Sequence, residues 1–435
     1  MNNRVPCARY IWAAAVLGII LLGGTHAAVR AHEAHERGAT AASAPKIAKS
    51  HTSRTQLASG VAFAPDGALW LVGLNAQNQL FVQHTPPGQS GPWTAPRVVS
   101  NAGDAVSANG EAFPKLAFGP KGWVVISYTQ PLDKPYTGFV RMLRSSDGGQ
   151  TFSAPFTVHA DRQIITHSFE SIAFDDKGVL HTSWVDKRDL TLALSESAAA
   201  SVNAGGKAGN KSSYRGAAIY RNESRDGGAT FGADIKLADH SCECCRIAMA
   251  LGADGQLRAL WRQVFEPNVR DHAFASLATD SAKTPPVRAT QDDWRIDACP
   301  HHGPGLALAP DKGFHAVWFG IRKVDGQDQA AVRYGRLNAD GIPRLDTVRR
   351  LPDMRAEHAD VLADGDNVAI VWRGVNATGS QLRGWFSSDG GQTFALKEIA
   401  STTLDNDQPR LARQGHRMVA VWRNSQEVQV HELHP

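Results

Sequence analysis

From about residue 56 onward, apolar and polar positions alternate in short runs, and turns rich in Gly, Asp and Pro cut every run. A period of two marks strands with one buried face, and no window of helix length escapes the interruptions. One phrase recurs: a short apolar strand, a Gly/Asp turn, then a second apolar strand that ends on an aromatic in all but the first copy. It reads VAFAPDGALWLVG (61–73), LAFGPKGWVVISY (116–128), IAFDDKGVLHTSW (172–184) and MALGADGQLRALW (249–261). It returns as LALAPDKGFHAVW (306–318), DVLADGDNVAIVW (360–372) and RLARQGHRMVAVW (410–422). The intervals between closing residues are 55, 56, 77, 57, 54 and 50. The long one contains an Ala/Ser/Gly/Lys-rich insertion, Leu190 to Ser213, expected as a surface loop. Each unit continues with one or two more strands, such as GFVRMLRSS and FTVHA in the second. About four short strands per period predict an all-β propeller of four-stranded antiparallel blades. Seven markers predict seven blades, or six if an end unit is degenerate. The last unit lacks an outermost strand of its own, which Arg54–Ala58 could supply.

The first 27 residues read differently. Arg4 and Arg9 precede an apolar run, Ile11 to Gly24, whose 14 residues are too few to span a bilayer comfortably. Small residues lead to a cleavage point at Ala27, with Ala31 as a second. The reading is a signal peptide at 1–27 and a periplasmic or secreted product with no membrane anchor once the signal is gone. Residues 28–54, rich in Ala, Ser and His without apolar period, read as a flexible leader. The single propeller domain is then 55–435. A composition of 42% hydrophobic and 20% charged residues excludes a disordered or coiled-coil chain. The formal charge of +4 falls to 44 − 42 = +2 with the signal removed, and there is no dense basic run, which argues against a nucleic-acid partner.

A second motif is Ser145-Ser146-Asp147-Gly148-Gly149-Gln150-Thr151-Phe152, repeated from Ser224 to Phe231 and from Ser387 to Phe394. Physically it is a hairpin turn: Asp and Ser bond turn backbone, Gly accepts positive φ, and the aromatic packs between sheets. On these three copies the sequence resembles the sialidase-like Asp-box (BNR-repeat) β-propellers. The resemblance implies boxes on the outer turns, away from the active face, and a glycan-directed activity of the glycoside hydrolase (exo-α-sialidase) kind. Plain binding propellers also belong to that superfamily, so a non-enzymatic scaffold for a protein partner stands beside it.

In a propeller the residues just before each inner strand, and just after each marker aromatic, converge on one face. Arg262, Arg373 and Arg423 follow marker Trp residues, Arg188 follows Trp184 by four, and Arg246 precedes an inner strand. The resemblance to sialidases implies an arginine clamp on a substrate carboxylate, because guanidinium binds it bidentately. Arg246, Arg262 and Arg373 are candidates for the clamp, with Arg188, Arg423 and His167 as further substrate contacts. Glu243, Asp271 and Glu170 are the carboxylates, and Tyr214 or Tyr220 the nucleophile. The Phe/Tyr-Arg-Ile-Pro signature of true sialidases is missing; Cys245-Arg246-Ile247-Ala248 echoes it in part. The expected ligand is an anionic glycan or another small anion.

The sharpest local signal is His240-Ser241-Cys242-Glu243-Cys244-Cys245-Arg246, matched by Cys299-Pro300-His301-His302-Gly303-Pro304 one unit on. Counted back from Trp261 and Trp318, Cys245 is equivalent to His302, Cys244 to His301 and Cys242 to Cys299. Two chemistries compete for them. In an exported protein Cys299 would pair with one of the other three. Alternatively Cys242, Cys244, Cys245, Cys299, His301 and His302 would bind copper or zinc, with His167 and Glu357 or His358 nearby.

Overall fold

Each recurring phrase forms the innermost hairpin of one sheet. The structure, a computed structural model, describes residues 57–203, 214–278, 284–296 and 300–434. In the first sheet Gly60–Phe63 pairs antiparallel with Leu69–Leu74, and Leu80–His84 and Arg97–Val98 follow outward. Five more four-stranded sheets begin from inner strands Lys115–Phe118, His167–Phe174, Ala248–Leu251, Gly305–Leu308 and Glu357–Asp364. The seventh begins at Arg410–Gln414 and has three strands among the described residues. Every inner strand packs on the next, and the seventh packs on the first. The result is a closed, seven-bladed β-propeller.

The turn chemistry explains the hairpins. At Asp66-Gly67 the Asp carboxylate accepts from the Ala68 N–H (2.9 Å) while Gly67 takes φ 91°, a conformation that costs other residues dearly. The three Ser/Asp/Gly/Thr turns share one bonding pattern. Ser145 donates to Asp147 (2.6 Å) and accepts from Gly149 N (2.9 Å), and Asp147 accepts from the Thr151 hydroxyl (2.6 Å). Ser224/Asp226/Thr230 and Ser387/Asp389/Thr393 repeat it. Phe394 reaches between blades, its ring 4.9 Å from that of Tyr334.

The marker aromatics are the wedges between blades. Tyr128, Trp184, Trp261, Trp318, Trp372 and Trp422 are all buried, and the five indole N–H groups each have an acceptor, such as Asp186 for Trp184 and Asp353 for Trp372. Burying an indole is favourable only when that donor is paired.

Two features depart from the sequence reading. The insertion after the third blade's second strand does not begin as a loop: Arg188–Asn203 is an α-helix. Its Leu/Ala/Ser/Glu content lacks Gly and Pro, and Asp189 in the first turn favours the positive end of the helix. The rest of the insertion, the expected signal and leader, and residues 54–56 lie outside the described residues. Leu57 and Ala58 do not extend the seventh sheet. They pack at the seam, where the Leu57 carbonyl accepts from Leu74 N–H (3.2 Å).

Candidate functional site

The start of each inner strand lies beside the end of its partner, as the pairs His167↔Asp186, Ala248↔Leu260 and Glu357↔Arg373 show. These ends form one face, the mouth of the ring. The Ser/Asp turns lie at the opposite end of the blades, against the inner-hairpin turns: Gly148 N–H bonds Gly122 O and Gly390 N–H bonds Asp366 O, both at 2.9 Å. Ala58, Phe169, His240, His301 and His358, all in or leading into inner strands, hold positive φ between 41° and 59°. Such conformations are sparsely populated and collect at functional sites.

At the mouth a charged network links four blades. Glu111, 1% exposed, accepts from Arg246 N–H (2.8 Å), Arg246 Nη1 (3.0 Å), Gly303 N–H (2.8 Å) and His358 Nδ1 (2.5 Å). Burial alone would raise its carboxyl, but the Arg246 guanidinium and the His358 ring hold it well below the ordinary range. Arg246 also donates to Ala359 O (2.8 Å). Asp360 is half-buried, and burial raises its carboxyl above the usual value against the pull of Arg246. The carboxyl paired with Arg246 and the nearby carboxyl of Asp360 are therefore pushed in opposite directions.

A second pair of cations flanks Phe113. Lys115 Nζ stands 4.3 Å from the ring centroid and the Arg410 guanidinium 3.4 Å from it. Lys115 reaches Glu170 Oε1 (3.4 Å), and Glu170 accepts from Thr129 (2.7 Å) and Ser127 (3.3 Å). Arg410 Nε donates to Ser59 O (2.7 Å), while Nη2 has no hydrogen-bond partner and lies 3.8 Å from Asp407. Lys115, Phe113, His358 and Asp360 keep part of their surface in solvent and form the rim.

Of the sequence candidates, Arg246 and His358 join this network through Glu111, and Glu170 adjoins it through Lys115. The arginines after marker Trp residues act as blade staples. Arg262 donates to Arg270 O (2.9 Å), His302 O (3.0 Å) and Phe319 O (2.7 Å), bridging fourth and fifth blades under the Trp294 ring. Arg423 donates to Leu57 O and Leu74 O, both 2.9 Å, across the seventh and first. Arg373 is held by Glu357 and reaches Asn406 O (3.4 Å). Arg188 is forked onto Asp186 (2.7 Å) and Asp234 (2.9 Å) over the Tyr220 ring. Their guanidinium groups are engaged within the protein, because each seam leaves carbonyls that need donors.

Asp271 is buried beneath Arg288 and accepts Asp292 N–H (3.0 Å), with burial raising its carboxyl. Glu243 is ion-paired to Lys187. His167 is buried between Asp186 (2.9 Å) and Asp161 (3.3 Å), stacked on His159 at 4.0 Å. Tyr214 and Tyr220 donate to Asp239 and Asp189, and burial with these carboxylates raises both phenols. Neither is poised as a phenolate nucleophile.

The cysteine–histidine set separates. Cys242, Cys244 and Cys245 are buried with their sulfurs mutually within 4.8 Å, 3.7 Å from Cys242 to Cys244 and 3.6 Å to Cys245. These gaps exceed an S–S bond of about 2.05 Å. Among the described residues they are the one group of three or more such side chains close enough to share an ion. His302 instead stacks on Phe319 (4.4 Å) beside His358 (5.2 Å), where burial lowers it to about 3. His301 is half-buried in the turn before the inner strand. Cys299 lies outside the described residues.

Sequence reasoning missed Glu111, Arg410, Asp360 and the role of Lys115. Glu111 stands 17 residues before Tyr128, as His167 stands before Trp184 and Cys244 before Trp261, so its repeat position announced it.

No protein-family model and no curated protein matches the chain. Solved structures share its fold. A PL25 ulvan lyase, a polysaccharide lyase bound to GlcA(1-4)Rha3S, is 12% identical with TM-score 0.51, over 85% of this chain and 90% of that one. A second polysaccharide lyase is 9% identical with TM-score 0.53, over 92% and 95%. An intramolecular trans-sialidase from Ruminococcus gnavus is 9% identical with TM-score 0.48, over 77% and 96%. At such identities likeness speaks of architecture alone. The chain has the propeller fold that the two lyases share.

Proposed function

We infer that this chain is an exported Asp-box propeller that recognises an anionic glycan at its mouth and cleaves it with Asp360 as proton donor. The observation that carries this reading is the buried Arg246–Glu111 ion pair (3.0 Å) with the partly exposed Asp360 nearby at the rim, its carboxyl raised by burial. Environments that split two carboxylates in this way assign acid and base roles in glycoside chemistry. Lys115, partly exposed at the rim, supplies positive charge suited to a sugar bearing carboxylate or sulfate, with Arg410 buried against the same Phe113 ring. The lyases with the same fold act on polysaccharides, one of them bound to a uronate-containing repeat. The three identically bonded Ser/Asp/Gly turns support the Asp-box assignment.

The test is a panel of sialosides, uronate oligosaccharides and sulfated glycans, scored for binding and for release of product. The reading expects at least one acidic ligand, bound at least 10-fold more weakly by Lys115→Met. Turnover should fall about 100-fold or more in Asp360→Asn, the range for loss of a general acid. Failure to bind or turn over any member of the panel contradicts it.

A further inference from the structure

We propose that Cys242, Cys244 and Cys245 form a binding site for a soft monovalent cation, copper(I), separate from the charged mouth. The Cys-Glu-Cys-Cys segment turns three sulfurs toward one another, each side chain no more than 5% exposed. From the sulfur separations, a point equidistant from all three lies at most about 2.4 Å from each, matching metal–thiolate bonds of about 2.3 Å. The triangle needs no rearrangement to accept an ion at its centre.

The donor set selects the ion. Thiolates select soft cations, copper(I) among them. The surroundings suit the charge that results. Binding of Cu⁺ forms three Cu–S bonds and releases up to three thiol protons to solvent, leaving a net charge near −2. The buried Arg262 guanidinium bears on Cys245, and the Arg262 carbonyl accepts from Cys242 N–H (2.9 Å).

The experiment uses the full mature chain. Thiols are first counted in denaturant on protein purified without reductant. The reduced protein is then titrated with Cu⁺ against bicinchoninate, following the chelator's absorbance and the copper K-edge spectrum. The proposal expects thiols at Cys242, Cys244 and Cys245, one equivalent of copper in an all-sulfur first shell, and affinity at least 100-fold lower in Cys242→Ser and Cys245→Ser. Should a variant misfold, protection of the three thiols from alkylation by bound copper, mapped by mass spectrometry on the unaltered chain, gives the same answer. Any of three results would overturn the proposal: the three cysteines already oxidised as purified, no copper retained against the chelator, or zinc bound in preference to copper.

Discussion

Arg423 occupies the space that Gly73 leaves empty. A Cβ on Gly73 would sit 2.7 Å from Arg423 Nη1, the nitrogen that donates to Leu57 O across the seam between last and first blades. The first repeat therefore ends on glycine where the other six end on an aromatic. The guanidinium stacks over Phe81 (5.0 Å) and takes the wedge position that Trp or Tyr fills elsewhere. Arg423→Met removes donors from two carbonyls and should destabilise the fold by about 2–5 kcal/mol. Gly73→Ala, which crowds the same nitrogen, should also destabilise, and combining the two should cost less than their sum. Urea unfolding midpoints of the three variants decide it; an Arg423→Met change below about 0.5 kcal/mol would show that the seam does not depend on this contact.

Glu111 and Glu243 lie in neighbouring mouth segments and should behave differently. Glu111→Gln leaves the buried Arg246 charge without its carboxylate, a loss of about 3–5 kcal/mol for a broken buried pair. Glu243→Gln touches a partly exposed pair with Lys187 and should cost under about 1 kcal/mol. Because the Glu111 carboxyl is lowered in the folded state, its contribution is complete above the unfolded value near 4.5 and is lost as pH falls below it. Glu111→Gln should thus flatten the acid limb of the stability curve. An equal effect of the two substitutions would remove Glu111 from the centre of the network.

Buried histidines set a second acid limb at higher pH. Burial lowers His159, His302 and His315 to about 3, and lowers His272 well below its ordinary value. The unfolded chain binds protons at these rings from about pH 6.5 downward while the folded chain does not, so stability is full above that pH and declines below it. By pH 5 the loss is about 2 kcal/mol per ring. Thermal unfolding between pH 7.5 and 4.5 should show a steady fall in Tm, shallower in His315→Phe. A flat profile over that range would mean that these rings protonate in place.

The ring was legible because its repeat is written in the spacing of the markers and in the turn chemistry at each hairpin. What spacing conveys is which end of a blade a residue occupies, not what its side chain touches. Arg246 and Arg262 share the mouth, yet one pairs with Glu111 and the other caps backbone carbonyls of the next blade. Those acceptors come from segments far away in sequence, so no local pattern separates the two roles. Glu111 and Arg410 stand at the right repeat positions, but a lone Glu and a lone Arg carry less local signal than Cys-Glu-Cys-Cys. The helix Arg188–Asn203 went unread because a surface insertion is exempt from the strand period around it, and its Ala-rich composition resembles that of a linker.

The central claim is that the mouth recognises negative charge on a sugar. The most direct measurement is a calorimetric titration with one uronate oligosaccharide that the chain binds, beside the same oligosaccharide with its carboxyls reduced to alcohols. The account predicts at least 10-fold tighter binding of the uronate form, with the difference shrinking in Arg410→Met and at high salt. Equal affinity for the two forms, or a preference for the neutral one, would contradict it.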